Sequence, residues 1–151
     1  MTQQHQPMWI TVHCSATPHS MDIGCSEIRR WHLQRGWQDI GYHYVIRRNG
    51  TIEQGRPLLQ QGAHVTGNNK GNIGICLVGG CDNKQKPQDN FTLAQRKSLF
   101  TLIEQLQQQY NIDDKHVTAH SQWNSSKACP VIVIQSEAER QEANSLLREN
   151  V

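Results

Sequence analysis

"GNIGICLVGG", residues 71–80, is a nearly continuous apolar run with glycines at both ends. A strand with one face in water alternates apolar and polar side chains, whereas a strand covered on both faces does not. The run therefore reads as the central strand of a sheet that carries a layer on each side. Towards the N-terminus, "GYHYVIRRNGTIEQG" (41–55) is a hairpin signal, with two β-rich stretches around Asn49-Gly50, the pair a type I′ turn favours. "MWITVHCSA" (8–16) is β-branched, apolar and closed by small polar residues, so it reads as a buried strand. Towards the C-terminus, "HVTAH" (116–120) is a short strand, and "VIVI" (131–134) is ambiguous.

Helical periods separate these strands. "SEIRRWHLQRG" (26–36) sets Ile28, Trp31 and Leu33 on or near one face, with Ser26 as N-cap and Gly36 as the stop. "FTLAQRKSLFTLIEQLQQQY" (91–110) is the strongest helix. Thr92 caps it, Gln95 completes a capping box, and Leu99, Leu102, Ile103 and Leu106 form one stripe. Ser136 is placed to cap a final helix over 137–150. No repeat or linker divides the chain. The expectation is a single α/β domain over 8–151, with a central mixed β-sheet flanked by helices on both faces, behind a loose polar segment at 1–7.

Composition narrows the function. A chain of 151 residues, 36% hydrophobic and 19% charged, is an ordinary globular domain. Its net charge is +2, and no basic run is longer than a pair such as Arg47-Arg48, too thin to track phosphates, so no nucleic-acid partner is expected. No apolar run approaches the ~18 residues of a membrane span, and the N-terminus has no signal-peptide pattern. Five cysteines, at 14, 25, 76, 81 and 129, then read as thiols or metal ligands in a reducing cytosol.

"AHSQWNSSKACP" (119–130) carries the chemistry. It has no apolar period to build a helix and no C-x-x-C spacing. His13, His120 and Cys129 all fall at or just beyond predicted strand ends. Two neutral imidazoles and a thiolate would hold a zinc ion at net +1, with a fourth position for water. The alternative is two polar residues at strand ends and a small buried thiol. Lys127 lies two residues before Cys129, so an extended segment would point both the same way, with the ammonium available to an oxyanion. Its alternative is a solvated loop charge. Tyr42, after Gly41, either faces a site or packs half-buried.

Taken together, "TVHCSAT", "GYHYVIRRNGTIEQGR", "GAHVTGNNKGNIGICLVGG", "FTLAQRKSL" and "AHSQWNSSKACP" resemble the type-2 zinc N-acetylmuramoyl-L-alanine amidases, which share their fold with the peptidoglycan recognition proteins. The likeness runs in order over residues 10–130. It implies one Zn2+ per chain on His13, His120 and Cys129, with Tyr42 and Lys127 as catalytic helpers. The substrate it implies is peptidoglycan, cut at the amide between N-acetylmuramic acid and L-alanine. His64 and Asn69 would hydrogen-bond that substrate, or else bond within their own loop. Many relatives carry a glutamate where this chain has Cys76, which leaves that share of the work to Tyr42 and water. The family also differs after Pro130, where this chain runs "VIVIQSEAE".

The resemblance further implies an endolysin made in the host cytoplasm, reaching the wall once another protein breaches the inner membrane. A phage member of the family also restrains its phage's RNA polymerase, an activity that no short motif carries and that a pull-down would test. The competing reading is a non-catalytic peptidoglycan-binding module on the same fold.

Overall fold

A run that is apolar on both faces has to be covered on both faces, and the computed structural model, which describes residues 6–132, covers it. Five strands, β1 (Trp9–Cys14), β2 (Tyr44–Ile46), β3 (Ile52–Gln54), β4 (Asn72–Leu77) and β5 (Val117–Ala119), form one sheet in the order β3-β2-β4-β1-β5. All six residues of β4 are buried, as its central place requires. β1 runs parallel to β4 and β5, and β2 parallel to β4, while β2 and β3 are antiparallel. The sheet is mixed.

Alternation sorts the side chains. Ile10, Val12, Ile73, Ile75 and Leu77 face one way and meet Leu99, Phe100, Leu102, Ile103 and Leu106 of α2 (Leu93–Tyr110). Val45, Cys76 and Val78 join a second cluster with Ile40 and with Cys25 and Ile28 of α1 (Cys25–Gln34). Each fully buried Leu or Ile contributes about 1.5–3 kcal/mol, so two such clusters hold helices on both faces. His13 is out of phase with Ile10 and Val12, opposite Cys76 in the register.

The α2 cap forms as expected: Gln95 N–H donates to Thr92 Oγ1 at 3.1 Å, and Thr92 N–H to Gln95 Oε1 at 2.9 Å. Four local expectations need correction. Ser26 is not the α1 cap; Gly24 is, because two carboxylates take over its first amides. Glu27 accepts from Gly24 N–H at 2.9 Å and Glu53, on β3, from Cys25 N–H at 2.8 Å. The buried stripe is Cys25, Ile28 and His32, while Leu33 is 48% exposed. Gly36 does stop the helix, at φ 88°.

The hairpin turn is not type I′, since Gly50 has φ 89° while Asn49 is not among the residues with positive φ. Gly50 N–H donates to Arg47 O at 2.8 Å and Arg47 N–H to Thr51 O at 2.9 Å, the pattern of a three-residue loop ending in a left-handed glycine. Tertiary contacts select it, for the Arg48 guanidinium reaches Val78 O and Asn90 O.

Residues 120–123 form one helical turn, α3 (His120–Trp123), where no helix is expected. Of the N-terminal segment, residues 6 and 7 are described, and Pro7 is buried. The helix expected at 137–150, its Ser136 cap, and residues 133–134 of "VIVI" lie outside the described residues. Among the described residues, no helix is long and apolar enough to cross a membrane.

Candidate metal centre and its cavity

His13 and His120 are 107 positions apart in sequence and neighbours in space for a simple reason. β1 and β5 pair in parallel with Val12 opposite Ala119, so the residue that follows each of these is one of the two histidines, His13 on β1 and His120 just beyond β5. Their ring centroids are 4.4 Å apart. Cys129 is brought back by its own backbone: Ser121 N–H donates to Cys129 O at 3.0 Å, and Cys14 N–H faces Cys129 Sγ at 2.7 Å. The ligand atoms of His13, His120 and Cys129 all lie within 4.8 Å of one another.

A single helical turn is too short to hold itself, and α3 is held from outside. Trp123 Nε1 donates to Thr11 Oγ1 at 3.0 Å and Thr118 Oγ1 at 2.9 Å, and Thr11 Oγ1 donates to Asn72 Oδ1 at 2.7 Å. This buried polar network fastens the turn that begins at His120 to β1, β4 and β5.

The protonation states suit a metal. Burial, then the neighbouring His64 and His120, hold His13 well below the usual imidazole range. Burial and the Lys127 charge lower His120. Both rings are therefore neutral ligands near neutral pH. The hydrogen bond with the Cys14 thiol, then burial, push Cys129 up, so it stays a thiol until a cation displaces its proton. A tetrahedral zinc with bonds of about 2.0–2.3 Å sets its ligand atoms roughly 3.3–3.8 Å apart. Only a small inward closure separates the three side chains from that geometry, and this donor set fits zinc.

The centre opens into a cavity of about 670 Å³. Tyr42 lines it, its ring 5.1 Å from that of His13. Burial, then the Cys76, Cys129 and Cys14 thiols, raise the Tyr42 phenol well above its ordinary value, so it keeps its proton. Cys76 is fully buried beside it and hydrogen-bonds to it. Lys127 is exposed and lines the same cavity. Asn69 also lines it, but its Oδ1 accepts from His64 N–H at 2.8 Å and Val65 N–H at 2.7 Å, which is bonding within its own loop. The His64 ring touches His13, with His64 Nδ1 2.9 Å from His13 Nε2.

Sequence reasoning missed His32, Arg35, Trp37 and Trp123, all of which line the cavity. His32 had a readable signal, since it falls in phase with Ile28 on the buried stripe of α1. It accepts from Gly41 N–H at 2.9 Å, and burial lowers its pKa to about 4. Trp37 lies 4.4 Å from the His32 ring, with the Arg35 guanidinium 5.8 Å from its own centroid.

The family model described as N-acetylmuramoyl-L-alanine amidase matches residues 3–131. The endolysin of Klebsiella phage KP32 is 46% identical over 129 residues, 85% of this chain and 83% of that protein. The endolysin of Escherichia phage T7 is 47% identical over 121 residues, 80% of this chain and 78% of that protein. Among solved structures, the N-acetylmuramoyl-L-alanine amidase LysCS from Clostridium intestinale matches with a TM-score of 0.73 at 30% identity, over 97% of this chain and 86% of its own. Drosophila PGRP-LB matches with a TM-score of 0.67 at 25% identity, over 86% of this chain and 79% of its own. With the matched region enclosing the sheet, both covering helices and all three candidate ligands, this chain belongs to the N-acetylmuramoyl-L-alanine amidase family.

Proposed function

We propose that the chain is a zinc-dependent endolysin that hydrolyses the amide joining the lactyl group of N-acetylmuramic acid to L-alanine of the peptidoglycan stem. The observation that carries this reading is the convergence of His13, His120 and Cys129, of which His120 and Cys129 line the cavity. When bound, zinc acidifies a water and polarises the carbonyl of an unactivated amide. The chain's own residues do the rest. Neutral His13 and His120 leave their lone pairs available, and Lys127 carries a positive charge to the oxygen on which negative charge develops. Tyr42, which keeps its proton, orients the water or donates to the departing amine. Water adds across the C–N bond, leaving a lactyl carboxylate and a free alanine amine. In this reading the chain acts on the wall after another protein has breached the inner membrane.

A glycosidase needs paired carboxylates at its cleft, and no Asp or Glu is among the described residues that line this cavity. Digestion of purified peptidoglycan separates the readings. New alanine amino termini, lost with chelator and restored by zinc, are the expected result. New reducing ends without new amines would refute the amidase reading, and neither product would favour the binding module.

A further inference from the structure

The His64 ring has a protein partner at each nitrogen. Its Nε2 lies 2.7 Å from Asn72 O, and its Nδ1 lies 2.9 Å from His13 Nε2. A carbonyl oxygen only accepts, so His64 Nε2 carries a proton. In a neutral imidazole that leaves the lone pair on Nδ1. His13 must then donate from Nε2, which places the lone pair of neutral His13 on Nδ1. The Asn72 carbonyl thus fixes one tautomer, and that tautomer fixes the next.

We propose that His64 is a positioning residue for the metal centre, holding His13 as the Nε2–H tautomer with Nδ1 presented to the ion, in a slot made by Gly62 and Gly74. The proposal rests on the zinc reading above and deepens it. Ligating histidines gain orientation and basicity when their second nitrogen is hydrogen-bonded, and here the partner is an imidazole rather than a carboxylate.

The slot is specific. A β-carbon on Gly74 would lie 2.6 Å from His64 Cγ and 2.8 Å from Nδ1, and one on Gly62 would lie 2.8 Å from His64 Cδ2. Both are contacts that require the ring to move. The two ring centres are 5.0 Å apart, with the ring planes 84° to one another. The relay is anchored at its far end as well. Asn72 donates from Nδ2 to Asn68 O at 3.0 Å and accepts from Thr11 at Oδ1, and Asn69 pins the His64 amide. Gly74 stands opposite Thr11, two residues from His13 along β1. A glycine within a fully buried strand is thereby linked to His13 through the His64 ring.

The test uses the full chain. In zinc-free protein, 15N NMR of the imidazoles should report Nε2–H on both His13 and His64. Competition with a chromogenic chelator should show zinc held ~10–100-fold more weakly in His64→Ala. His64→Asn, whose side-chain oxygen can stand near the Nδ1 position and accept from His13, should recover part of that loss. Gly74→Ala should weaken zinc comparably while keeping the far-UV spectrum of the wild type. Nδ1–H on His13, unchanged zinc affinity in His64→Ala, or no recovery in His64→Asn would each overturn the proposal. A wild type that takes up no zinc would instead refute the metal reading, and the NMR tautomers would still decide whether the relay exists.

Discussion

Cys129 and Lys127 are two positions apart in one loop, and both line the cavity, yet their losses should differ in kind. Cys129→Ala removes the thiolate that completes the donor set, so zinc and activity should vanish together. Atomic absorption on the purified variant checks this, and stoichiometric zinc there would refute the assignment. Lys127→Ala removes only charge stabilisation. It should keep its zinc, keep binding muropeptide, and lose on the order of 10²–10³ in kcat. Steady-state kinetics on a soluble muropeptide reads the split, and full turnover would take the lysine out of the mechanism.

At the scale of elements, the caps and packed faces set stability. The Thr92 hydroxyl makes two bonds, accepting from Gln95 N–H and donating to Arg48 O at 2.7 Å. It therefore caps α2 and ties that helix to the β2–β3 hairpin. Thr92→Ala should cost about 1–2 kcal/mol, the upper part of the range for a lost N-cap, readable as a shift in urea midpoint at unchanged slope. The packing of α1 is pH-sensitive through His32. Its folded pKa is about 4, against 6.5 for an unperturbed imidazole. Between those values the unfolded chain binds the extra proton, so stability falls as pH drops from about 6.5 to about 4 and His32 adds nothing further below that. His32→Gln, whose amide oxygen can still accept from Gly41 N–H, should lose less Tm over that window than the wild type. Parallel thermal melts at pH 7 and pH 4 check it.

For the molecule as a whole, a metal held by His13, His120 and Cys129 would act as a clasp. Its ligands come from the end of β1, the start of α3 and a loop near residue 130, so an ion would join segments far apart in sequence. Binding only the folded chain stabilises it by about 2.7 kcal/mol at a free zinc level of 100 Kd. For a chain of this size that is on the order of 5–10 °C in Tm. Calorimetry with zinc and with chelator should show this difference, and Cys129→Ala should show none.

The same contrast of scale separates what was readable in the chain from what was not. "GNIGICLVGG" announced a doubly covered central strand, and the Thr92–Gln95 box and its apolar stripe announced α2, because periodicity and capping are local physics that a short window contains. The three candidate ligands were also legible as residue types at strand ends, and the quoted motifs made them so by resemblance. Other features were decided only by tertiary structure. Glu53 arrives from β3 to accept from Cys25 N–H, so Ser26 has no cap to supply. Arg48 is pinned by Val78 and Asn90, and the hairpin takes a three-residue loop that Asn49-Gly50 alone would not choose. Trp123 holds a helical turn where the sequence has no helical period, since its bonds go to Thr11 and Thr118 on neighbouring strands. The two ring bonds of His64 likewise depend on which carbonyl and which imidazole the fold places beside it. Local sequence encodes backbone preference and burial, but the partner of a buried polar atom is set by chain segments distant in sequence, and only the folded sheet brings them together.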